Sequence, residues 1–420
     1  MYKQYWIQAI ATIRENPLVS FLTILGTALA VAMIMVLVLL YQVKTASFSP
    51  VSERYRMLYV SDIEGVDVKG SGYNGDAMGH RLIKECFYSM TTVEAVTAMT
   101  SGPQLRHTSA PGNKKIRECD VRETDAAFWK VFDFRFVDGV PYTEEMFISA
   151  IPVAVVSDKV AREFFGTTDV LGQTIQLDFV DFKIQGVVAS VSEAVREAYG
   201  EIWIPYSLNE EIIGGSFVEG IGGIMQLCIL AKSPADFDAI RQEAQSRVAA
   251  FNTGQKTFFA NIWKQPISSV QRMFYYVRGD RMSDNFSGML ALAALFLFLP
   301  VFNLLGIMFS QIQKRNPEFG LRKAFGATTW DVMGQILAEN LIITFLGSIV
   351  GFCFSLLFFY LAKDSLLERP DVNLQLSMLF KPGLLVGTLL VCLLINVLSS
   401  GFPAWKTSKA EVVDALNTNV

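Results

Sequence analysis

The feature that most constrains this chain is a set of four long stretches that lack any Asp, Glu, Lys or Arg. They cover residues 16–43, 285–313, 340–362 and 382–405. A helix needs roughly 20 apolar residues to cross a hydrocarbon core. Buried helices of soluble proteins rarely run so far without a charge. The sequence therefore predicts an α-helical membrane protein with four transmembrane (TM) helices, at 18–43, 285–313, 340–362 and 382–405. Residues 44–284 form a large water-exposed domain inserted between TM1 and TM2. The apolar excess is concentrated rather than general, since the chain is 51% hydrophobic and 18% charged.

Lys3 and Arg14 precede the first stretch, as in a signal peptide. That stretch is about twice the length of a signal h-region and no A-x-A site follows it, so it reads as an uncleaved anchor. Orientation follows from basic residues near the helix ends. With the N-terminus inside, segments 1–17, 314–339 and 406–420 hold Lys3, Arg14, Lys314, Arg315, Arg322, Lys323, Lys406 and Lys409. The short outer loop, 363–381, holds Lys363, Arg369 and Lys381. This asymmetry predicts that both termini are cytoplasmic and that 44–284 is extracytoplasmic.

The chain carries a net charge of −4, and the short segments assign −6 to residues 44–284. Such a chain does not suit nucleic acid as a partner. Cys353 and Cys392 fall in membrane stretches. Cys86, Cys119 and Cys228 lie in the outer domain, where one disulfide is open to them and spacing does not assign it. His80 and His107 are the only histidines, with no nearby ligand partner, so no metal site is expected.

The domain reads as α+β. Residues 55–61 (YRMLYVS), 153–156, 174–177, 182–189 and 201–205 (EIWIP) have strand character. Ser157 opens a helix in SDKVAREFFG that Gly166 ends. Ser233 and Pro234 open an amphipathic helix over 233–251. The glycine-rich segments 65–79 and 214–223 are expected to be flexible loops. Phe128, Trp129, Phe132, Phe134 and Phe136 are read as core packing, and Gly166, Gly172 and Gly186 as turn and close-approach positions.

Three segments, in order, resemble MacB-like periplasmic core domains. They are DAAFWKVFDFRFVDG (125–139), IPVAVVSDKVAREFFGTTDVLGQTIQLDFVDFKIQGVVASV (151–191) and EIWIPYS (201–207).

The segment 314–332, KRNPEFGLRKAFGATTWDV, can be read chemically. Asn316 suits an N-cap and Pro317 the first helical position. Glu318 sits where the helix dipole favours an anion, and Arg322 and Lys323 where it favours cations. Gly326 can close the helix in a left-handed cap. Thr328 can cap the next helix, with Asp331 completing a capping box. A short helix over 316–325 is therefore expected, with Phe319, Ala324 and Phe325 on its apolar side. It serves either as an interfacial helix or as a docking surface.

This segment resembles the R-x-x-E-x-G-x-x-x-A-x-G-A signature of MacB/FtsX-type ABC transporter permeases. Arg315, Glu318, Gly320, Ala324, Gly326 and Ala327 match it as they stand. The resemblance implies that Arg315, Glu318, Gly320, Arg322, Lys323, Ala324, Gly326 and Ala327 contact a cytoplasmic ATPase subunit. The tail resembles the family's closing motif at Pro403, Ala404, Ala415 and Leu416, with Thr407 in place of an alanine.

No G-x-x-x-x-G-K-[ST] occurs, so ATP would be bound by the partner ATPase and not by this chain. No G-x-S-x-G or H-E-x-x-H is present either, and no cofactor is expected. The membrane stretches lack central charges, while Gly347 and Gly351 form a GxxxG pair suited to close helix packing. The resemblance implies a permease in a bacterial inner membrane that couples a separate ATPase to movement of the outer domain, for export or mechanotransmission. It also implies a second permease copy or paralogue, contact with membrane lipids and, in some systems, other envelope proteins. Two alternatives remain open: an exporter of hydrophobic or lipidic cargo, and an extracytoplasmic sensor or scaffold without an ATPase.

Overall fold

The computed structural model describes residues 14, 17–45, 47, 49–67, 72–75, 77–113, 115–193, 195–214, 218–278, 281–284, 321–322 and 324–366, with isolated helical positions at 383, 386, 387, 390, 394 and 401. The chain divides into two units. One is Val43–Phe286 with Leu367–Asn373. The other is Met1–Gln42, Ser287–Leu366 and Leu374–Val420.

The first unit is the expected α+β domain. Its described strands are β1 (Met57–Val60), β2 (Ile63–Asp67), β3 (Gly72–Gly75), β4 (Val93–Thr100), β5 (Gln104–Ser109), β6 (Ile116–Thr124), β7 (Phe136–Gly139), β8 (Val153–Ser157), β9 (Thr174–Leu177), β10 (Val180–Val188), β11 (Ile202–Pro205), β12 (Met225–Ala231), β13 (Phe258–Asn261), β14 (Ile267–Ser268), β15 (Tyr275–Arg278) and β16 (Arg281–Asp284). The expected strand over 55–61 is shorter than predicted, because residues 54–56 form a 3-10 turn before it.

Six of the strands close on themselves in the order β11-β8-β10-β9-β5-β6, with β6 returning to β11. The β8–β10 and β6–β11 pairs are parallel, and the other ring pairs are antiparallel. From β6 the sheet continues through β4, β12 and β1 to β14.

Strand periodicity sorts the side chains into separate cores. Ala154 and Val156 of β8 join Val121, Ile175, Leu177, Ile184 and Ile202 in one cluster, while Val153 and Val155 join Phe128, Phe132 and Trp203 in another. In β1, Leu58 and Val60 face a third cluster and Met57 and Tyr59 the second. Both faces of these strands are therefore covered, which is why their sequences read as continuous apolar runs. Fully burying each such side chain contributes about 1.5–3 kcal/mol.

The local chemistry of the helices follows expectation. The Ser157 side chain accepts from the Val160 amide at 3.3 Å, and Gly166 closes helix Asp158–Phe165 at φ 76°. Ser233 accepts from the Ala235 amide at 3.2 Å. The turn it opens is 3-10 (Pro234–Asp236), and the α-helix proper runs Phe237–Thr253 with Ile240, Ala244, Val248 and Phe251 buried. The aromatic run behaves as core. Trp129 packs edge-on to Phe128, Phe134, Tyr142 and Trp203 at centroid distances of 5.2–6.2 Å.

One expectation requires correction, and one open question is answered. The glycine-rich segments are not simply loose loops. Residues 63–67 and 72–75 are paired strands, and β13 joins them in a three-stranded sheet. Met78 bridges Gly222 and Met225, and a Cβ on Gly79 would sit 2.5 Å from the Gly220 carbonyl. These glycines allow two backbones to touch. The disulfide left open among Cys86, Cys119 and Cys228 is not formed. Each thiol is free and buried in a different core cluster. Burial pushes the Cys86 and Cys119 thiols up to about 12 and about 11.

In the second unit, helices Pro17–Thr45 and Thr329–Leu366 are described. Within the latter, Leu341–Phe358 has a mean hydropathy of 2.4. Residues 285–313 lie outside the described residues, as does most of 382–405. The two described helices meet at the GxxxG pair. A Cβ on Gly347 would lie 2.8 Å from Thr27 Cβ, and one on Gly351 would lie 2.9 Å from Val31 Cβ and collide with the Ala28 carbonyl.

The polarity of this packing is inverted relative to a soluble protein. Thr23, Thr27, Thr344, Ser348 and Ser355 are buried, whereas Phe345, Ile349, Phe354, Leu357 and Leu361 are exposed. Thr27, Ser348 and Ser355 satisfy their hydroxyls on carbonyls one turn back, at 2.7–2.8 Å. Small and hydroxylated residues inside, with large apolar residues outside, is the arrangement helices adopt in lipid.

Candidate functional site

The segment singled out in the sequence is partly described. Arg315, Glu318, Gly320 and Lys323 lie outside the described residues, as does the expected helix start at Asn316. Arg322, Ala324, Gly326 and Ala327 are described.

They form a capped elbow. The Phe325 amide donates to the Leu321 carbonyl at 3.1 Å and the Ala327 amide to the Arg322 carbonyl at 3.1 Å, while Gly326 has φ 96°. The six-to-one bond across a left-handed glycine is the Schellman ending, and it satisfies carbonyls that a helix end leaves bare. Two residues on, the Thr328 amide and hydroxyl donate to the Asp331 carboxylate at 2.9 and 2.6 Å. The Asp331 amide donates back to the Thr328 hydroxyl at 3.2 Å. This reciprocal box starts helix Thr329–Leu366 and holds the Asp331 carboxyl below its ordinary range. The Arg322 guanidinium reaches across to the Gln335 side-chain oxygen, tying the two helical pieces together.

A groove of about 310 Å³ runs along the elbow, lined by Leu321, Arg322, Phe325, Ala327, Val332 and Gln335 together with Asp331. Phe325 is 84% exposed and Trp330 74% exposed. Sequence reasoning placed Phe325 on an apolar side of the helix but missed Trp330. Its signal was a large aromatic directly after a cap, where the first helical turn projects outward.

In the α+β domain the polar groups are mostly structural. The buried Asp125 carboxylate accepts from Thr97 Oγ1, Tyr88 Oη and the Ala98 and Phe128 amides, at 2.6–3.0 Å. Burial pushes its carboxyl up to about 6 against the pull of these donors. The buried Arg122 guanidinium donates to the Thr100 and Arg196 carbonyls at 2.7 Å, and burial pushes it down to about 10.

A polar cleft of about 850 Å³ lies between helix Asp158–Phe165 and residues 189–201. The carboxylates of Asp158, Glu163 and Glu201 in its lining are each paired, Glu163 with Lys115 and Arg117. Asp158 accepts from the Ser190 amide and hydroxyl at 2.9 and 2.6 Å, and Glu201 accepts from Arg117 at 3.0 and 3.1 Å. Neither histidine lines the cleft. His80 packs edge-on to Tyr206 at 5.6 Å, and His107 Nδ1 lies 3.9 Å from Glu118. Among the described residues no group of three or more His, Cys, Asp or Glu side chains could hold a metal.

The profile of the MacB-like periplasmic core domain matches residues 20–247, and that of the FtsX-like permease C-terminal region matches 290–412. The chain belongs to the MacB/FtsX-type ABC transporter permeases. The capped elbow falls inside the FtsX-like part, and the ring of strands inside the MacB-like part.

YknZ of Bacillus subtilis (strain 168), described as an uncharacterized ABC transporter permease, is 20% identical over 97% of both chains. The macrolide export ATP-binding/permease protein MacB of Burkholderia lata is 24% identical over 69% of this chain. The chain spans only 39% of that protein's length. The extracellular domain of YknZ superposes on 49% of this chain with a TM-score of 0.36 at 13% identity.

Proposed function

We propose that this chain is the membrane subunit of an ABC transport complex, and that the elbow at 321–335 is where a separate cytoplasmic ATPase docks. ATP binding and hydrolysis shift the elbow. The shift passes along helix Thr329–Leu366, and the α+β domain moves on the other side of the membrane. Two permease subunits, identical or paralogous, assemble with two ATPase subunits in a bacterial inner membrane, both termini on the ATPase side. The complex exports, releases or pushes a substrate in the extracytoplasmic space.

The observation that supports this reading is the exposure of Phe325 and Trp330 on an elbow braced by two interlocking caps. Exposed aromatic side chains on a braced turn are the type of residue that carries protein–protein binding energy.

The test is co-purification. Phe325→Asp with Trp330→Asp leaves both caps intact, and the variant chain is expected to accumulate normally but to lose the ATPase on purification. Retention of the ATPase at wild-type stoichiometry would overturn the docking assignment.

A further inference from the structure

The hairpin between β9 and β10 has an unusual tip. Leu177 pairs with Val180, so only Asp178 and Phe179 make the turn. Both have positive φ, 48° and 69°, as in a type I′ turn. Asn-Gly and Asp-Gly dominate such turns because glycine takes the left-handed backbone freely. A bulky aromatic there is strained. Phe179 is also 87% exposed, so packing of its ring does not offset the strain. Residues kept in unfavourable backbone geometry without a structural return cluster at functional positions.

The tip is rigidly presented. The Asp178 amide donates to the His107 carbonyl at 2.9 Å, and the Asp178 carboxylate accepts from the His107 amide at 3.0 Å. Arg106 Nε stands 4.0 Å from the same carboxylate. Val180, 55% exposed, follows the ring in sequence. Leu105, 62% exposed, is two residues from His107 on the same face of β5.

We infer that the Asp178–Phe179 turn is a docking knob whose ring enters an apolar pocket, rimmed by basic side chains, on a partner protein. Three considerations select that occupant. The knob is convex, so its counterpart is concave. Its apolar area is small, one aromatic ring and two aliphatic side chains, whereas a stable protein pair buries about 800 Å² on each partner. A second copy of this chain pairing knob to knob is therefore disfavoured, and a pocket that concentrates its contact on one ring is favoured. Exposed Asp178, Asp181 and Glu118 lie beside the knob on a domain of net charge −6. That charge repels an anionic lipid surface and complements a basic rim.

The inference rests on the reading that the α+β domain faces the extracytoplasmic space. It does not rest on the ATPase elbow. The test places the photoreactive analogue p-benzoylphenylalanine at position 179 of the full chain, assembled with its ATPase in its own membrane. Irradiation is expected to give an adduct with one other protein. That protein, once purified, is expected to bind the wild-type complex and to bind the Phe179→Gly complex at least tenfold more weakly. Phe179→Gly removes the backbone strain, so the Tm of the variant is expected to be unchanged or raised.

Adducts only with lipid, only with a second copy of this chain, or none at all would overturn the knob. So would equal binding of the Phe179→Gly complex. If ATPase activity stays normal in those cases, the failure is the knob's alone. A complex that never recruits the ATPase condemns the function proposed above instead.

Discussion

At the scale of single residues, the structure assigns costs that follow from hydrogen bonding and backbone geometry. Gly326 has φ 96°, where a side chain costs about 1–2 kcal/mol. Gly326→Val is therefore expected to loosen the elbow and weaken ATPase recruitment, while the melting of the α+β domain stays unchanged. Asp125 is a stronger case. Asp125→Ala strands three buried donors, the Thr97 hydroxyl and the Ala98 and Phe128 amides, at a cost of at least ~3 kcal/mol. In a domain this size that lowers Tm by roughly 6 °C or more, measurable by thermal unfolding. The caps at Ser157, Gly166, Gly326 and Thr328 were legible in the sequence, because capping depends on a few adjacent residues. Asp125 was not read as structural, because its donors Tyr88 and Thr97 are about 30 residues away and only the sheet brings them together.

At the scale of elements, the close approach of two membrane helices is the feature most open to test. Gly351→Leu places a branched side chain against the Ala28 carbonyl and Val31. Overpacking of this kind costs about 1–3 kcal/mol. The variant is expected to lose thermostability in detergent, whereas Gly383→Leu, where a Cβ meets nothing within 4 Å among the described residues, is not.

Helix Phe237–Thr253 makes a pH-dependent contact. Burial pushes the Glu243 carboxyl up, but bonds from Thr92, from the Thr91 and Thr92 amides and from Arg247 outweigh it, bringing the carboxyl down to about 2 from an ordinary 4.5. A folded-state value below the unfolded one adds stability above about pH 4.5 and loses it as pH falls toward about 2. Glu243→Gln is expected to flatten acid unfolding of the domain, followed by tryptophan fluorescence, within that window.

Five strands and two helices of this domain were readable from short-range patterns, whereas β4, β5, β6, β12 and helix His80–Cys86 were not read. The glycine-rich segments were misread, because glycine marks a flexible loop and a close backbone crossing alike. The crossing of Gly79 with Gly220 joins positions far apart in the sequence. The three outer cysteines could not be resolved from spacing for the same reason: Cys86 ends helix His80–Cys86, Cys119 and Cys228 lie on β6 and β12, and only the tertiary fold sends each into a different core.

At the scale of the molecule, the inverted polarity of the described membrane helices and the uncharged stretches in the sequence agree, since both follow from lipid as solvent. The closing of six strands into a ring was not legible. It depends on the β6–β11 and β5–β9 pairings, whose register no local pattern states. The elbow was legible as a capped turn, and its part in coupling rests on the exposed Phe325 and Trp330.

If this elbow transmits ATP-driven change, the α+β domain responds to ATP through it. Hydrogen exchange of Tyr275–Arg278 and Arg281–Asp284, the paired strands that are the last described elements of that domain before residues 285–313, tests it in the assembled complex with and without ATP. An ATP-dependent change in exchange is expected there for the wild type, and its loss in Phe325→Asp with Trp330→Asp. The same ATP-dependent change in both complexes would contradict it.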